Sequence, residues 1–396
     1  MTHLFPAETD IPGSARRRYR ICTKLVIDTS DPEVTFDEEG VSNYWHEHQA
    51  FLAKQPNAES RAALLEATVK RLRTYGQGRK YDCILGLSGG VDSSYLAWLA
   101  VKLGLRPLLV HFDNGWNSEL AVSNIEQICR RLRLPLHTFV MDWPEFRDLQ
   151  RAYFKASVLD LEVPTDHMIF GALYKVARQN SIRFILSGNN HRTEWLLPRE
   201  WYYRKFDLVS IKGIHRRYGE LPMKRLPALG VWQSAWYQMR FRMQDIKLLD
   251  LVDYRKQEAK DLLMSELGWR DYGGKHYESI FTRFYQGYIL PRKYGIDKRR
   301  AHLSNLILSQ QMTREQALAE LQQPTYDPQL QEEDKIYVAK KLGFSGTEFE
   351  DLLKLPGRRH EEFGTDERDL RLLREFMGWI RPITTIAKKG GWRVDN

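Results

Sequence analysis

Between residues 81 and 190 the chain alternates short apolar runs with longer stretches whose apolar positions recur at helical spacing. "CILGL", "PLLVHF", "LHTFVM" and "RFILSG" are the short runs, and each predicts a strand. Helical spacing falls near 94–103, 119–133 and 166–179. Strand and helix in turn predict an α/β fold, a parallel sheet with helices on both faces whose ligands collect at the carboxyl ends of the strands.

The flanks follow other patterns. In "YRICTKLVIDTSDPEVTFDEEGVSNYW" (19–45), β-branched runs surround two turn signals and predict a small hairpin unit. Residues 46–80 predict a helix, with Leu64, Leu65, Val69 and Leu72 at helical spacing. Residues 195–245 are rich in Trp, Tyr, Arg and Lys and are interrupted by Pro198, Pro222 and Pro227, so they read as an insertion over the sheet. Beyond 250 the pattern is helical, with expected capping boxes at "TREQ" (313–316) and "TEFE" (347–350). The expected organisation is a tail and hairpin-like unit at 1–50, an α/β domain at 51–250, and a mainly helical substrate or partner region at 251–396.

Composition narrows the partners. A length of 396 residues allows two or three units. The net charge of +9 favours anionic partners. The basic clusters "ARRRYR" and "RRLRL" read as solvated faces rather than nucleic-acid patches. Cys22, Cys83 and Cys129 are too few and scattered for a disulfide framework. No apolar stretch approaches the ~20 residues needed to span a bilayer, so a soluble, cytoplasmic protein without a membrane partner is expected.

Chemistry concentrates in "LSGGVDSSYL". Ser88, Gly89, Gly90, Val91, Asp92, Ser93 and Ser94 follow a strand and open a helix, where free amides and the helix dipole attract phosphate. The loop lacks the lysine that follows a transferring γ-phosphate, which argues against ordinary γ-phosphoryl transfer. The "SGGVDSS" loop closely resembles the PP-loop of the ATP pyrophosphatases. That resemblance implies cleavage between the α- and β-phosphates of ATP, with Asp92 helping to hold Mg²⁺ on the phosphates. In "VHFDNGW", which ends the second strand, the resemblance implies that main-chain atoms near His111 and Phe112, with Asp113 beside them, read the adenine edge. In "LSGNNHRTEW", Gly188, Asn189 and Glu194 follow a later strand and would serve the α-phosphate or the acceptor.

The stretch 272–321, "YGGKHYESIFTRFYQGYILPRKYGIDKRRAHLSNLILSQQMTREQALAEL", is similar to a signature of bacterial N-acetyl sugar amidotransferases of O-antigen and related lipopolysaccharide pathways. So are "IDTSDPEVTFDEEGV" and "IHRRYGELPMKRLPALGVW". The resemblance implies adenylation of a sugar's N-acetyl carbonyl oxygen, then displacement of AMP by ammonia to give an acetamidine. Lys275 and Arg283 are the leading candidates to bear the developing negative charge, and Lys298 and Arg299 follow them. Lys212, His215, Arg216 and Arg217 of the insertion are candidates to bind a UDP-linked sugar. The family also implies a separate glutaminase and an ammonia-channelling barrel like the pair of histidine biosynthesis. Its hairpin carries CxxC twice, where this chain has Cys22, Leu25, Ser42 and Trp45, so no structural zinc is expected. Two rivals remain: a PP-loop tRNA-modifying enzyme, and a non-catalytic nucleotide-binding subunit.

Overall fold

The computed structural model describes residues 17–274 and 277–385, with side chains as far as Met377. In place of the predicted hairpin, residues 19–45 make isolated antiparallel bridges, Ile21 to Asp28 and Phe36 to Ser42. The turns at "TSDPE" and "DEEG" leave too little chain between them for a ladder. The single helix expected over 46–80 is two, α1 (Asn43–Leu52) and α2 (Ala58–Gly76). Pro56 interrupts the run, and the Asn57 side chain caps the second helix by accepting the Ser60 N–H at 2.8 Å.

The alternating region then follows the expected order: β1 (Cys83–Gly86), α3 (Val91–Lys102), β2 (Pro107–Asp113), α4 (Glu119–Leu132), β3 (Leu136–Val140), α5 (Trp143–Ala156), α6 (Val163–Gln179) and β4 (Phe184–Leu186). After α7 (His191–Glu194), the predicted insertion holds α8 (Leu208–Tyr218) and α9 (Val231–Phe241), and its last two residues already return to the sheet in β5 (Gln244–Ile246). All pairings are parallel, in the order β3-β2-β1-β4-β5. Buried apolar strands such as Cys83–Leu85 need cover on both faces. Leu96 of α3 and the residues around it cover one face, and Leu173 of α6 with Tyr237 of α9 cover the other.

The remainder is helical: α10 (Lys256–Leu267), α11 (Ile280–Phe284), a π-helical turn (Tyr285–Ile289), α12 (Leu290–Tyr294), α13 (Arg299–Leu308), α14 (Arg314–Leu321), α15 (Pro328–Leu342), α16 (Gly346–Lys354) and α17 (Glu367–Thr385). Thr313 and Gln316 form the expected capping box. In place of the second expected box, a one-way N-cap forms two residues earlier: Ser345, not Thr347, caps α16 by accepting the Glu348 N–H. One apolar cluster joins Cys22, Trp116, Trp201, Tyr285 and Phe349, so the N-terminal turns, the insertion and the C-terminal helices share a core. Among the described residues, no helix is long and apolar enough to cross a membrane.

Candidate functional site

The strand order reverses at β1: the chain leaves it through α3 to β2 on one side, and β4 lies on the other. Such a switch point opens a crevice at the carboxyl ends of the strands. The loop after β1 and the loop after β4 flank that crevice.

The first loop is held by its own hydroxyls and by side chains from far along the chain. The Ser88 N–H donates to Ser93 Oγ at 3.3 Å, and Ser88 Oγ accepts the Gly90 N–H at 3.2 Å. Gly89 has φ +85°, and a Cβ there would stand 2.8 Å from the Tyr272 hydroxyl, so backbone and space both require glycine. Its carbonyl accepts from Trp269 Nε1 at 2.8 Å and from the Tyr272 hydroxyl at 2.9 Å. Gly90 is the N-cap of α3 and no side chain caps the helix. The first-turn amides and the positive end of the dipole are therefore available to an anion. Asp92, in that first turn, accepts from the Tyr254 hydroxyl at 2.5 Å. Burial, followed by the Asp92 charge, raises the Tyr254 phenol, so it stays a donor.

A cavity of about 1330 Å³ opens on this loop. Ser88, Gly90, Val91, Asp92, Ser93, Gly188, Asn189 and Glu194 line one end, and Arg283, Gln286, Lys298 and Arg299 line another part. The predicted phosphate residues and the predicted acceptor cations thus share one space. Ser94 is buried outside that lining. Single-ligand sites commonly hold roughly 300–1,000 Å³, so this volume suits two sizeable substrates together.

The predicted residues differ in what they can still do. Arg283 donates to both oxygens of Asp334, at 2.8 and 2.7 Å, which occupies its planar fork. Arg299 is similarly engaged by Asp297 and by the carbonyls of Glu320, Gln323 and Pro324. Lys298 stands 4.0 Å from Glu162 and 5.6 Å from the Tyr285 ring centre. Lys275 lies outside the described residues. Lys212, His215, Arg216 and Arg217 do not line this cavity: α8 buries Ile211 and Ile214, and His215 turns to Asp148 at 3.3 Å.

His111 and Asp113 line a second cavity of about 740 Å³, between the end of β2 and α4. The Asn117 amide reaches His111 Nε2 at 3.1 Å, so Nδ1 carries the proton and donates it to the Leu87 carbonyl at 3.2 Å. Phe112 stacks on Phe139 instead, with centroids 5.9 Å apart.

At the positions where a metal hairpin would have thiolates, Cys22, Leu25 and Ser42 are fully buried. Cys22 Sγ accepts the N–H groups of Lys24, Leu25 and Ser42 at 3.4, 3.3 and 3.2 Å. Trp45 packs at the margin of the same core. Arg314 donates to the carbonyls of Cys22 and Leu25, at 2.9 and 3.0 Å. Among the described residues, no three His, Cys, Asp or Glu side chains gather in a way that could hold a metal ion.

Sequence reasoning missed the residues that hold the loop. Tyr254 and Trp269 carry no motif, and Tyr272 opens the quoted 272–321 stretch without having been assigned a role. It also missed Gln286, which the π-turn brings to the cavity wall.

Residues 278–377 match the family described as LPS biosynthesis protein WbpG-like, C-terminal domain. The match bears out the resemblance drawn from 272–321 at the level of the family. Two curated relatives extend over the sheet. Methanocaldococcus jannaschii protein MJ1599 is 23% identical over 289 residues, covering 70% of this chain and 85% of its own length. The tRNA(Ile)-lysidine synthase of Chlamydia pneumoniae is 27% identical over 157 residues, 38% of this chain and 46% of its own. Among solved structures, NMN synthetase from Francisella tularensis covers 54% of this chain and 88% of its own, at 16% identity and a TM-score of 0.29. The matched stretch 278–377 contains Arg283, Gln286, Lys298 and Arg299 of the cavity lining, and the Ser88–Ser93 loop that lines it lies outside the match.

Proposed function

We propose that this chain is an ATP-dependent amidotransferase that converts the N-acetyl group of a UDP-linked sugar into an acetamidine, releasing AMP and pyrophosphate. One observation carries the reading: residues of the PP-loop-like segment and residues of the stretch that matches the WbpG-like family line the same cavity.

An amide carbon is a poor electrophile until its oxygen becomes a leaving group. The acetyl carbonyl oxygen attacks the α-phosphorus of ATP, the bond to the β-phosphate bridging oxygen breaks, and pyrophosphate leaves. Positive charge develops on the sugar's amide N–H. Ammonia then adds at the carbon and AMP departs, with one ammonia proton lost to solvent. The loop amides, Ser88 and Ser93 hold the leaving pyrophosphate, and the first turn of α3 stabilises its charge. Gly188, Asn189 and Glu194 approach the α-phosphate from the end of β4. The donor set fits Mg²⁺, a hard cation: the Asp92 carboxylate, oriented by Tyr254, would hold it and Glu194 lies in the same lining. Mg²⁺ would neutralise the triphosphate.

The described residues carry no cysteine suited to glutamine hydrolysis. Cys22 and Cys83 are buried, burial raises the Cys83 thiol, and burial pushes Cys129 up to about 11. In this reading ammonia is supplied by a separate glutaminase through a channelling partner.

Mass spectrometry of UDP-N-acetyl sugars incubated with ATP, Mg²⁺ and ammonium is the test. Loss of about one mass unit, oxygen exchanged for NH, is the expected result. AMP release with tRNA, and none with any sugar nucleotide, would replace this reading with a tRNA-modifying one.

A further inference from the structure

The helix that begins as α11 does not run straight into α12. Five residues, Tyr285–Ile289, form a π-helical turn, and such turns often re-aim side chains at functional sites. Here Gln286 and Gly287 both reach the cavity lining. Gly287 leaves room that the Tyr326 ring fills, since a Cβ there would meet the ring at 2.6 Å. Gln286 alone carries a side chain from the turn into the cavity.

That side chain is held from behind. Its Nε2 donates to Glu162 Oε2 at 2.9 Å, and the same carboxylate oxygen lies 4.0 Å from Lys298 Nζ. Glu162 is itself 8% exposed and does not line the cavity. Its own N–H is fixed by Asp160 Oδ1 at 3.1 Å. A buried carboxylate thus orients two groups that do line it, one a primary amide and one an ammonium. An amide with one N–H engaged keeps a carbonyl acceptor and a second donor, which is complementary to an acetamido group. Polarisation by the carboxylate makes that carbonyl a stronger acceptor.

We infer that Gln286 is the residue that selects an acetamido sugar, with Lys298 beside it binding the sugar's oxygens and Glu162 acting as the positioning residue for both. This rests on the proposed function and names the part of the cavity that recognises the acceptor. Gln286 Oε1 accepts the acetamido N–H, which leaves the acetyl oxygen available to attack phosphorus. The same contact strengthens as positive charge develops on that N–H, so it favours the transition state over the bound substrate.

The experiment measures binding of UDP-N-acetylglucosamine, UDP-N-acetylgalactosamine and UDP-glucose by calorimetry, and of a fluorescent ATP analogue, to wild type and to Gln286→Leu, Gln286→Asn, Glu162→Gln and Lys298→Met. Wild type is expected to bind one acetamido sugar about tenfold or more tightly than UDP-glucose, the discrimination of a site built to pair an amide. Gln286→Leu is expected to erase that ratio, Gln286→Asn to restore part of it, and Glu162→Gln to reduce it. Lys298→Met should weaken both sugar classes alike, and the ATP analogue should stay within about twofold throughout. A preserved ratio in Gln286→Leu, or parallel loss of ATP-analogue binding, overturns the inference and leaves the proposed function standing. Failure of wild type to bind any of these sugar nucleotides, with the ATP analogue bound, overturns both.

Discussion

The Tyr254 hydroxyl donates to Asp92 Oδ1 at 2.5 Å, joining the segment before α10 to the first turn of α3. Tyr254 is fully buried, so the donor is withdrawn from water, while its charged acceptor borders the cavity. Hydrogen bonds to charged groups contribute about 1.5–3 kcal/mol. Tyr254→Phe should therefore lower the unfolding free energy by about 2 kcal/mol in urea titrations. It should also raise the Mg²⁺ concentration needed for half-maximal AMP release, because the carboxylate loses its orientation. An unchanged Mg²⁺ dependence would mean that Asp92 serves the loop's structure and not the metal.

Arg283 entered as a candidate to bear developing charge, and the Asp334 carboxylate now takes both of its bonds. The pair is 14% and 5% exposed at the two side chains. Removing one partner of a buried pair leaves the other charge without compensation, at about 3–5 kcal/mol. Arg283→Met and Asp334→Leu should each be destabilised by about that amount, and the double variant by much less than their sum. Urea unfolding of the four proteins gives the coupling directly. Additive effects would mean that the pair is not the arginine's main role and would return Arg283 to the substrate.

The PP-loop and four strands were legible because buried parallel strands are continuous apolar runs and the loop's glycines and serines are local. β5 was hidden, since "QDI" has one apolar residue and only its neighbour Phe184–Leu186 makes it a strand. The role of Arg283 was hidden for another reason: its partner is 51 residues away, a distance no spacing rule covers. At α16, "SGTE" and "TEFE" are overlapping capping signals. The earlier one won because Ser345 has the extended backbone of an N-cap and Gly346 opens the helix.

The turns around Cys22 keep the hydrogen bonds a metal-bound sulfur would use. Three backbone N–H groups converge on Sγ, while Ser42 Oγ is buried without a partner. Leu25→Cys, Ser42→Cys and Trp45→Cys together should therefore bind one zinc per chain in tetrahedral thiolate geometry. Wild type, with a single thiol there, should bind none after dialysis. Metal analysis of both proteins decides it: zinc at one equivalent in wild type, or none in the triple variant, would show that the backbone is not arranged as these bonds indicate.

His360 and Asp366 pull the acid stability of one buried cluster in opposite directions. His360 is 4% exposed, stacks on Tyr203 with centroids 4.1 Å apart, and accepts the Asp160 N–H at Nε2. Burial lowers its pKa to about 4, against the partial opposition of Asp160. The folded imidazole therefore stays neutral while the unfolded one protonates below about 6.5. Its contribution is complete above that pH and is lost as pH falls towards 4, at most about 3 kcal/mol. Asp366 has the reverse sign. Burial and then the Asp207 charge raise it to about 6 despite Arg204, so the folded state takes up its proton first and gains stability between pH 6 and 4. His360→Gln should remove the loss and leave the gain, so its unfolding free energy should rise relative to wild type as pH falls from 7 to 4. Asp366→Asn should do the opposite and steepen the acid loss. Urea unfolding at several pH values between 7 and 4 reads both slopes, and parallel profiles for wild type and His360→Gln would mean that the imidazole already carries its proton in the fold.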